Sequence, residues 1–248
     1  MQTIEAHRNA RRTEFIRLIK TRDETGCLLY IAKYDDFYDA VVDDDEEENM
    51  LQLACIYRLD RVAIALINKK CDLIYQDKFD ITALMTASHY GLKNIVAHII
   101  DNLTDITTRK TCYGKSEIMY LCGTKDEGNI IKMIDRGYDI YYKNDKYGSL
   151  FTEAIGYKLS KVIKKMIDID TDFANQFNTQ YSRSKYKIRS YFYNTIVKYI
   201  NDKHDTYKHE IITTMNEASP TNALYQSFRN TYAVGLVDVI CDFILLRK

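Results

Sequence analysis

Asp77 to Asp105 reads D-K-F-D-I-T-A-L-M-T-A-S-H-Y-G-L-K-N-I-V-A-H-I-I-D-N-L-T-D. A short turn comes first, then a run of small and apolar residues, then a break at Gly91. Ile95, Val96, Ile99 and Ile100 follow at the spacing of a single helix face. The stretch predicts a turn, a small-residue helix, a break, a second apolar helix and a loop.

The same pattern returns on both sides. Asn49-Met-Leu-Gln-Leu-Ala54 aligns with Thr82-Ala-Leu-Met-Thr-Ala87 at an offset of 33, which then holds without a gap. Leu51 matches Leu84, Val62 matches Ile95, Leu66 and Ile67 match Ile99 and Ile100, and Asp72 matches Asp105. The next copy lies 34 residues on, with Ile118, Ile130, Met133, Ile134 and Asp139 at the corresponding places. A fourth copy follows Asp145-Lys-Tyr-Gly148 and carries Ala154, Ile163, Met166, Ile167 and Asp172. Its helical part runs at 33, so one residue is lost near its first helix. A fixed period with matching apolar positions predicts stacked copies, because one helix pair cannot bury its apolar face alone. Each Leu84-type or Ile99-type side chain is expected to contribute about 1.5–3 kcal/mol of burial. The Ala87-type position is expected to stay small, where adjacent first helices pack closely.

These residues carry a resemblance. Thr82-Ala-Leu-Met-Thr-Ala87, Gly91, Asn94-Ile-Val96, Ile99-Ile100 and Asp105 together resemble an ankyrin repeat with its T-P-L-H-x-A motif. The turns Asp77-Lys-Phe-Asp80 and Asp145-Lys-Tyr-Gly148 are similar to the family's D-x-x-G hairpin. Ala83 stands for the proline and Met85 for the histidine, and Ser116-Glu117-Ile118 stands for T-P-L in the third copy. The loss of T-P-L-H implies weaker bracing at the start of each first helix. The implied fold is all-α, an ankyrin-type helix-turn-helix solenoid with short hairpin loops. Residues 1–44 would be N-terminal capping helices and the start of an acidic loop, 45–181 the repeats, and 182–248 divergent helix pairs closing the stack.

Bulk properties narrow the function. The chain has 248 residues with 46% hydrophobic content, enough for a packed core and against wholesale disorder. Its net charge is zero, which argues against a whole-chain electrostatic partner such as duplex DNA. Cys27, Cys55, Cys71, Cys112, Cys122 and Cys241 include no C-x-x-C pair, and most occupy small apolar helix positions. They read as free buried thiols of a reducing compartment. Met1–Ala10 is polar, unlike a signal peptide, and no apolar run reaches the roughly 18 residues of a membrane span. An intracellular, cytoplasmic chain with no membrane partner is expected. The 21 tyrosines, with abundant Lys, Asn and Ile but 9 glycines, suit an AT-rich genome, so tyrosine number alone argues no function.

The flanks are less regular. Residues 1–24 are basic, with Phe15, Ile16, Leu18 and Ile19 forming one face of a predicted capping helix. Gly26 to Val42, with Tyr34, Phe37, Tyr38, Val41 and Val42 continuing at helical spacing, reads as a degenerate first helix pair. Asp43 to Glu48 is a run of six acids and predicts an exposed loop. Beyond Phe173 the register blurs. Ile188, Phe192, Ile196, Tyr199 and Ile200 predict one helix and Thr206 to Met215 a second. Thr221-Asn-Ala-Leu224 and Val237-Asp-Val-Ile240 echo the repeat once more.

Catalysis finds no support: G-x-S-x-G, P-loop, H-E-x-x-H and G-x-G-x-x-G patterns do not occur. His7, His89, His98, His204 and His209 are scattered, and Cys112 and Cys122 lack zinc-ligand spacing. Catalytic residues, metal, cofactor and small-molecule substrate are therefore expected to be absent. The periodic feature is aromatic. Phe79, Tyr113 and Tyr147 lie 34 apart, each at the third or fourth position of a hairpin turn, with Lys78 and Lys146 beside two of them. In the family such hairpins project as fingers and, with the first helices, form a concave binding face. The resemblance therefore implies that Lys78, Phe79, Tyr113, Lys146 and Tyr147 hold a protein partner, with about 800 Å² buried on this side of a standard interface. Degenerate repeats of this composition are similar to ankyrin proteins of large DNA viruses or intracellular bacteria, which implies a partner in a host cell. Two alternatives stay open. One is a ubiquitin-ligase adaptor acting through the C-terminal helices, although Asp238 to Leu246 lacks an F-box-like L-P pattern. The other is single-stranded RNA stacking on the basic, Tyr-rich segment 181–209.

Overall fold

The structure, a computed structural model, describes residues 2–42, 47–146, 148–182, 191–219, 221–228 and 234–245. Among them fourteen helices follow in order: α1 (Gln2–Lys20), α2 (Glu24–Lys33), α3 (Met50–Ile56), α4 (Asp60–Asn68), α5 (Ala83–His89), α6 (Lys93–Asn102), α7 (Glu117–Cys122), α8 (Glu127–Asp135), α9 (Leu150–Gly156), α10 (Ser160–Ile169), α11 (Asp172–Ser182), α12 (Tyr191–Asn216), α13 (Ala223–Phe228) and α14 (Val234–Leu245). Most of the described residues are helical, so the protein is all-α as expected. The chain divides into two units, Met1–Glu153 and Ala154–Lys248, with the boundary inside α9.

Each first helix starts at a polar side chain that turns back onto the backbone. Asn49 and Gln52 form a reciprocal capping box, each side chain accepting the other's N–H at 2.9 Å. The Oγ atoms of Thr82 and Ser116 accept the N–H groups of Met85 and Met119, both at 3.4 Å. Ser149 and Thr152 exchange the same kind of bond at 2.8 and 3.3 Å. Asn, Ser and Thr caps supply orphan N–H groups with acceptors without the T-P-L-H histidine.

The break between paired helices is also regular, although its residue type is not. Arg22, Arg58, Gly91, Lys125 and Lys158 all take the left-handed conformation, with φ between 55° and 72°. Only Gly91 is free of the steric cost that a Cβ brings there. The other four are held by bonds across the turn. After Arg22, Arg58 and Lys158 the N–H groups of Asp23, Leu59 and Leu159 donate to the carbonyls of Leu18, Ala54 and Ala154 at 3.0, 3.0 and 2.8 Å, and the N–H of Lys125 itself donates to the Cys122 carbonyl at 3.1 Å.

The expected core positions are buried: Leu51, Leu84 and Ile118 on the first helices, joined in the fourth copy by Phe151, which the sequence reading had not marked, and Leu66-Ile67, Ile99-Ile100, Met133-Ile134 and Met166-Ile167 on the second. Ala54, Ala87 and Ala154 are fully buried, but Leu121 occupies the same register place in the third copy and is also fully buried. That position is thus not restricted to small residues. In the first unit α3 packs on α5 and α5 on α7, while α2, α4, α6 and α8 pack in succession. The sequence period reappears in the hydrogen bonds that join neighbouring copies. Asp72 N–H to Asp39 spans 33 residues, Gln76 to Lys110 34, Thr82 to Glu117 35 and Asn129 to Lys93 36.

Three local expectations are corrected. The first helix pair is α1 with α2, and residues 34–42 are not helical. Tyr34 is extended, with φ −129° and ψ 147°, and the ring of Phe37 turns inward onto Phe15 at 4.5 Å and Tyr30 at 5.4 Å. The Tyr38 hydroxyl closes the turn by donating to the Ile31 carbonyl at 2.9 Å. The aromatics follow helical spacing by coincidence, since they fill the end of the core. The acidic run is not a uniformly exposed loop. Residues 43–46 lie outside the described residues, but Glu48 is buried, and its carbonyl accepts the Val42 N–H at 2.8 Å. Third, Thr206 to Met215 is not a separate helix but the second half of α12, which runs 26 residues. Neither glycine nor proline interrupts it, and Phe192, Ile196 and Ile200 keep a buried i, i+4 stripe. The expected face residue Ile188 lies outside the described residues. In this second unit α10 packs on α11 and α12, and α12 on α13 and α14.

One polar cluster is sunk in the first unit. Glu117 is 2% exposed. Its carboxylate accepts the Thr82 hydroxyl at 2.6 Å and faces the Arg109 guanidinium at 3.5 Å, which also pairs with Asp105 at 2.7 Å. Burial pushes the Glu117 carboxyl above its usual range, against the Thr82 hydrogen bond and the Arg109 charge. Removing one member of a buried pair strands the other, so Glu117→Ala should cost about 3 kcal/mol in urea unfolding. The raised pKa sets the sign of the pH dependence. This carboxyl's contribution is complete below the ordinary glutamate pKa and is lost as pH rises through the raised folded value. Glu117→Gln should therefore flatten the stability–pH curve on the alkaline side of the ordinary carboxylate range.

Candidate functional site

Each first helix in the first unit is preceded by a chain reversal. Val41 bridges to Asn49, Gln76 to Thr82 and Lys110 to Ser116. In the fourth copy the bridge becomes two short antiparallel strands, β1 (Lys143–Asn144) and β2 (Gly148–Ser149). The bridge ends at the helix-capping residue every time, so the cap fixes the root of the hairpin.

The four hairpins touch in sequence. The Tyr75 hydroxyl donates to the Glu47 carbonyl at 2.7 Å, linking the second to the first. Cys112 N–H donates to the Phe79 carbonyl at 3.2 Å, and Gln76 Nε2 to the Lys110 carbonyl at 3.0 Å. The Tyr142 hydroxyl donates to the Gly114 carbonyl at 2.8 Å, while Lys110 Nζ lies 4.7 Å above the Tyr142 ring. A continuous row results. Gly114 is needed where the third and fourth meet: its φ is +80°, and a Cβ there would come within 2.3 Å of Asn144 Nδ2.

Of the residues singled out from sequence, Lys78, Phe79, Tyr113 and Lys146 fall on this row. Phe79 is 44% exposed and Tyr113 65%. Lys78 Nζ lies 5.6 Å from the Phe79 ring centre, and Lys146 Nζ reaches across from the fourth hairpin to 5.1 Å from the Tyr113 ring centre. Tyr147 lies outside the described residues. Between the second and third hairpins opens a cleft of about 270 Å³, lined by Phe79, Ile81, Thr111, Cys112, Tyr113, Lys115 and Tyr120. Two of these were legible from the 34-residue aromatic spacing. The floor residue Tyr120 was not, because it lies on α7 and is brought beneath the turn only by packing. Burial, above all, pushes its hydroxyl pKa up. Lys115 is tied to Glu153 at 2.8 Å. The cleft is thus lined by two exposed aromatic rings, by Ile81 and the Tyr120 ring, and by one lysine whose charge is met by Glu153.

Other candidates were read from the sequence. Five cysteines are buried, but Cys112 is exposed at the cleft, contrary to the expectation of buried thiols. Burial pushes the Cys27, Cys71 and Cys122 thiols up to about 12, which suppresses the reactive thiolate at neutral pH. Among the described residues no His, Cys, Asp and Glu side chains cluster as a metal site would require, and no helix is long and apolar enough to cross a membrane. Within 181–209 the described aromatics are largely engaged. Phe192 is buried, Tyr193 stacks on Phe177 at 5.8 Å, and Tyr199 donates to Asp168 at 2.5 Å, while Tyr191 stands 86% exposed.

Compared with models of protein families and with curated proteins, the chain matches none.

The glycines offer a test of the row's construction. At Gly91, φ is +72° with no atom within 4 Å of an added Cβ, whereas Gly114 adds the clash with Asn144. Gly91→Ala should cost about 1 kcal/mol and Gly114→Ala about twice that or more, compared by thermal unfolding.

Proposed function

We propose that the chain is a non-enzymatic ankyrin-type repeat protein, a helix-turn-helix solenoid that holds a partner protein on the face made by its hairpins and first helices. The observation that carries this reading is the row of four hairpins spaced by the repeat, with Phe79 and Tyr113 exposed side by side over an apolar cleft. Exposed aromatics on rigid turns give large contact area at low entropic cost, the character of interface hot spots. In this reading Lys78 and Lys146 rim the anchor, and Tyr147, 34 residues beyond Tyr113, belongs to the same aromatic series. Resemblance to degenerate viral and bacterial repeats makes a protein of the host cell the proposed partner, met inside the cell.

A Phe79→Ser, Tyr113→Ser, Tyr147→Ser variant should keep its helical circular-dichroism signal and lose partner capture in affinity purification from host-cell lysate. Capture that survives in the folded variant would remove the hairpin face from consideration and return attention to 182–248.

A further inference from the structure

In the second unit one face of α12 stays open beside α10. Tyr191, Asn194, Lys198 and Asp202 recur on α12 at the three- and four-residue spacing of a single helix face. With Lys164 of α10 they line a groove of about 420 Å³. That size falls within the roughly 300–1,000 Å³ of small-ligand sites. Part of the lining is already committed. Lys198 Nζ pairs with Asp202 at 2.7 Å. The Tyr199 hydroxyl donates to Asp168 at 2.5 Å, and Lys203 pairs with the same carboxylate. These side chains form walls, and both acids beside the groove are paired with a lysine. Three side chains are not committed in this way. Tyr191 is 86% exposed, and among the described residues its ring and hydroxyl meet no partner. The exposed Asn194 amide makes no hydrogen bond among the described residues. Lys164 forms no ion pair among them, and its Nζ lies 5.0 Å from the Tyr199 ring centre.

A bare aromatic face, an amide that both donates and accepts, and a cation without a counter-ion complement a nucleobase and its phosphate. An aliphatic side chain in the same place would strip water from the Asn194 amide without replacing its bonds. We propose that this groove binds one nucleotide, its base stacked on the Tyr191 ring, its edge on the Asn194 amide and its phosphate toward Lys164. Single-stranded RNA and a free nucleotide share that chemistry. A duplex does not, because its bases are already stacked on one another and offer no free face. The site belongs to the second unit and stands whether or not the hairpin row holds a protein.

The test titrates fluorescein-labelled octauridylate with the full chain and follows anisotropy. Tyr191→Ser should weaken binding about fivefold or more, the effect of losing one stacked base. Tyr191→Phe should retain it, since the ring face and not the hydroxyl is the platform. Lys164→Gln should lower the slope of log affinity against log salt by about 0.7, the share of one phosphate contact on a single strand. Unchanged thermal unfolding of the variants sets misfolding aside. An octamer carrying 4-thiouridine should crosslink, on irradiation, to the α12 peptide that contains Tyr191, mapped by mass spectrometry. Competition by uridine monophosphate as effective as that by unlabelled octamer would assign the site to free nucleotides, and weaker competition would assign it to the strand. The proposal is overturned by an absence of binding, by equal binding of the Tyr191→Ser chain, or by equal binding of a duplex of the same length. Crosslinks confined to the Phe79 and Tyr113 hairpins would also overturn it, placing the nucleotide on the hairpin row instead.

Discussion

A helix of six or seven residues does not persist alone in water, because its few hydrogen bonds barely exceed the cost of starting it. The first helices α3, α5 and α7 are of that length. They exist because each lays its apolar face on the next, with Leu51, Leu84 and Ile118 drawn out of water together. Everything else in the first unit serves this dependence. Caps hold the helix starts, and left-handed residues turn the chain sharply enough for the second helix to pack on the first. Bonds spanning 33 to 36 residues then lock one copy to another. The buried Glu117 carboxylate makes the same point in polar form, since its partners Thr82 and Arg109 lie in the preceding copy and the preceding loop.

The hairpins follow from that stacking. Each is rooted at the capping residue of a first helix, so the spacing of the helices becomes the spacing of the turns. No single turn makes the cleft: Phe79 comes from the second hairpin, Tyr113 from the third, Tyr120 from α7, and the cation over Tyr113 from the fourth. A face assembled this way is fixed wherever its copies are locked and varied wherever turn residues differ.

Much of this was legible in the residues. Matching apolar positions at 33 and 34 marked the buried stripes of both helices, and the aromatic spacing marked Phe79 and Tyr113. The misreadings share a cause. Tyr34, Phe37 and Tyr38 follow helical spacing without being helical, because they close the end of the core around Phe15. Thr206 to Met215 looked like an independent helix because the period had failed there. The helix that Phe192, Ile196 and Ile200 anchor runs on instead through a stretch with nothing to break it. Glu48 sat in a run that reads as solvated, yet its backbone is half of the bridge that closes the first hairpin.

By itself the sequence determined the period, the identity of the apolar faces and the places where turns must fall, since these depend on residue types at short range. Tertiary structure alone decided what those positions tolerate and which side chains meet. Arginine and lysine take a glycine's backbone conformation between helices because packing and the bonds across the turn hold them there. Leucine replaces alanine in the third copy because that layer accommodates it. Tyr120 floors a cleft whose other walls lie on two different hairpins. Each outcome is set by neighbours one repeat away, and no local pattern encodes how a neighbouring copy fills the space beside it.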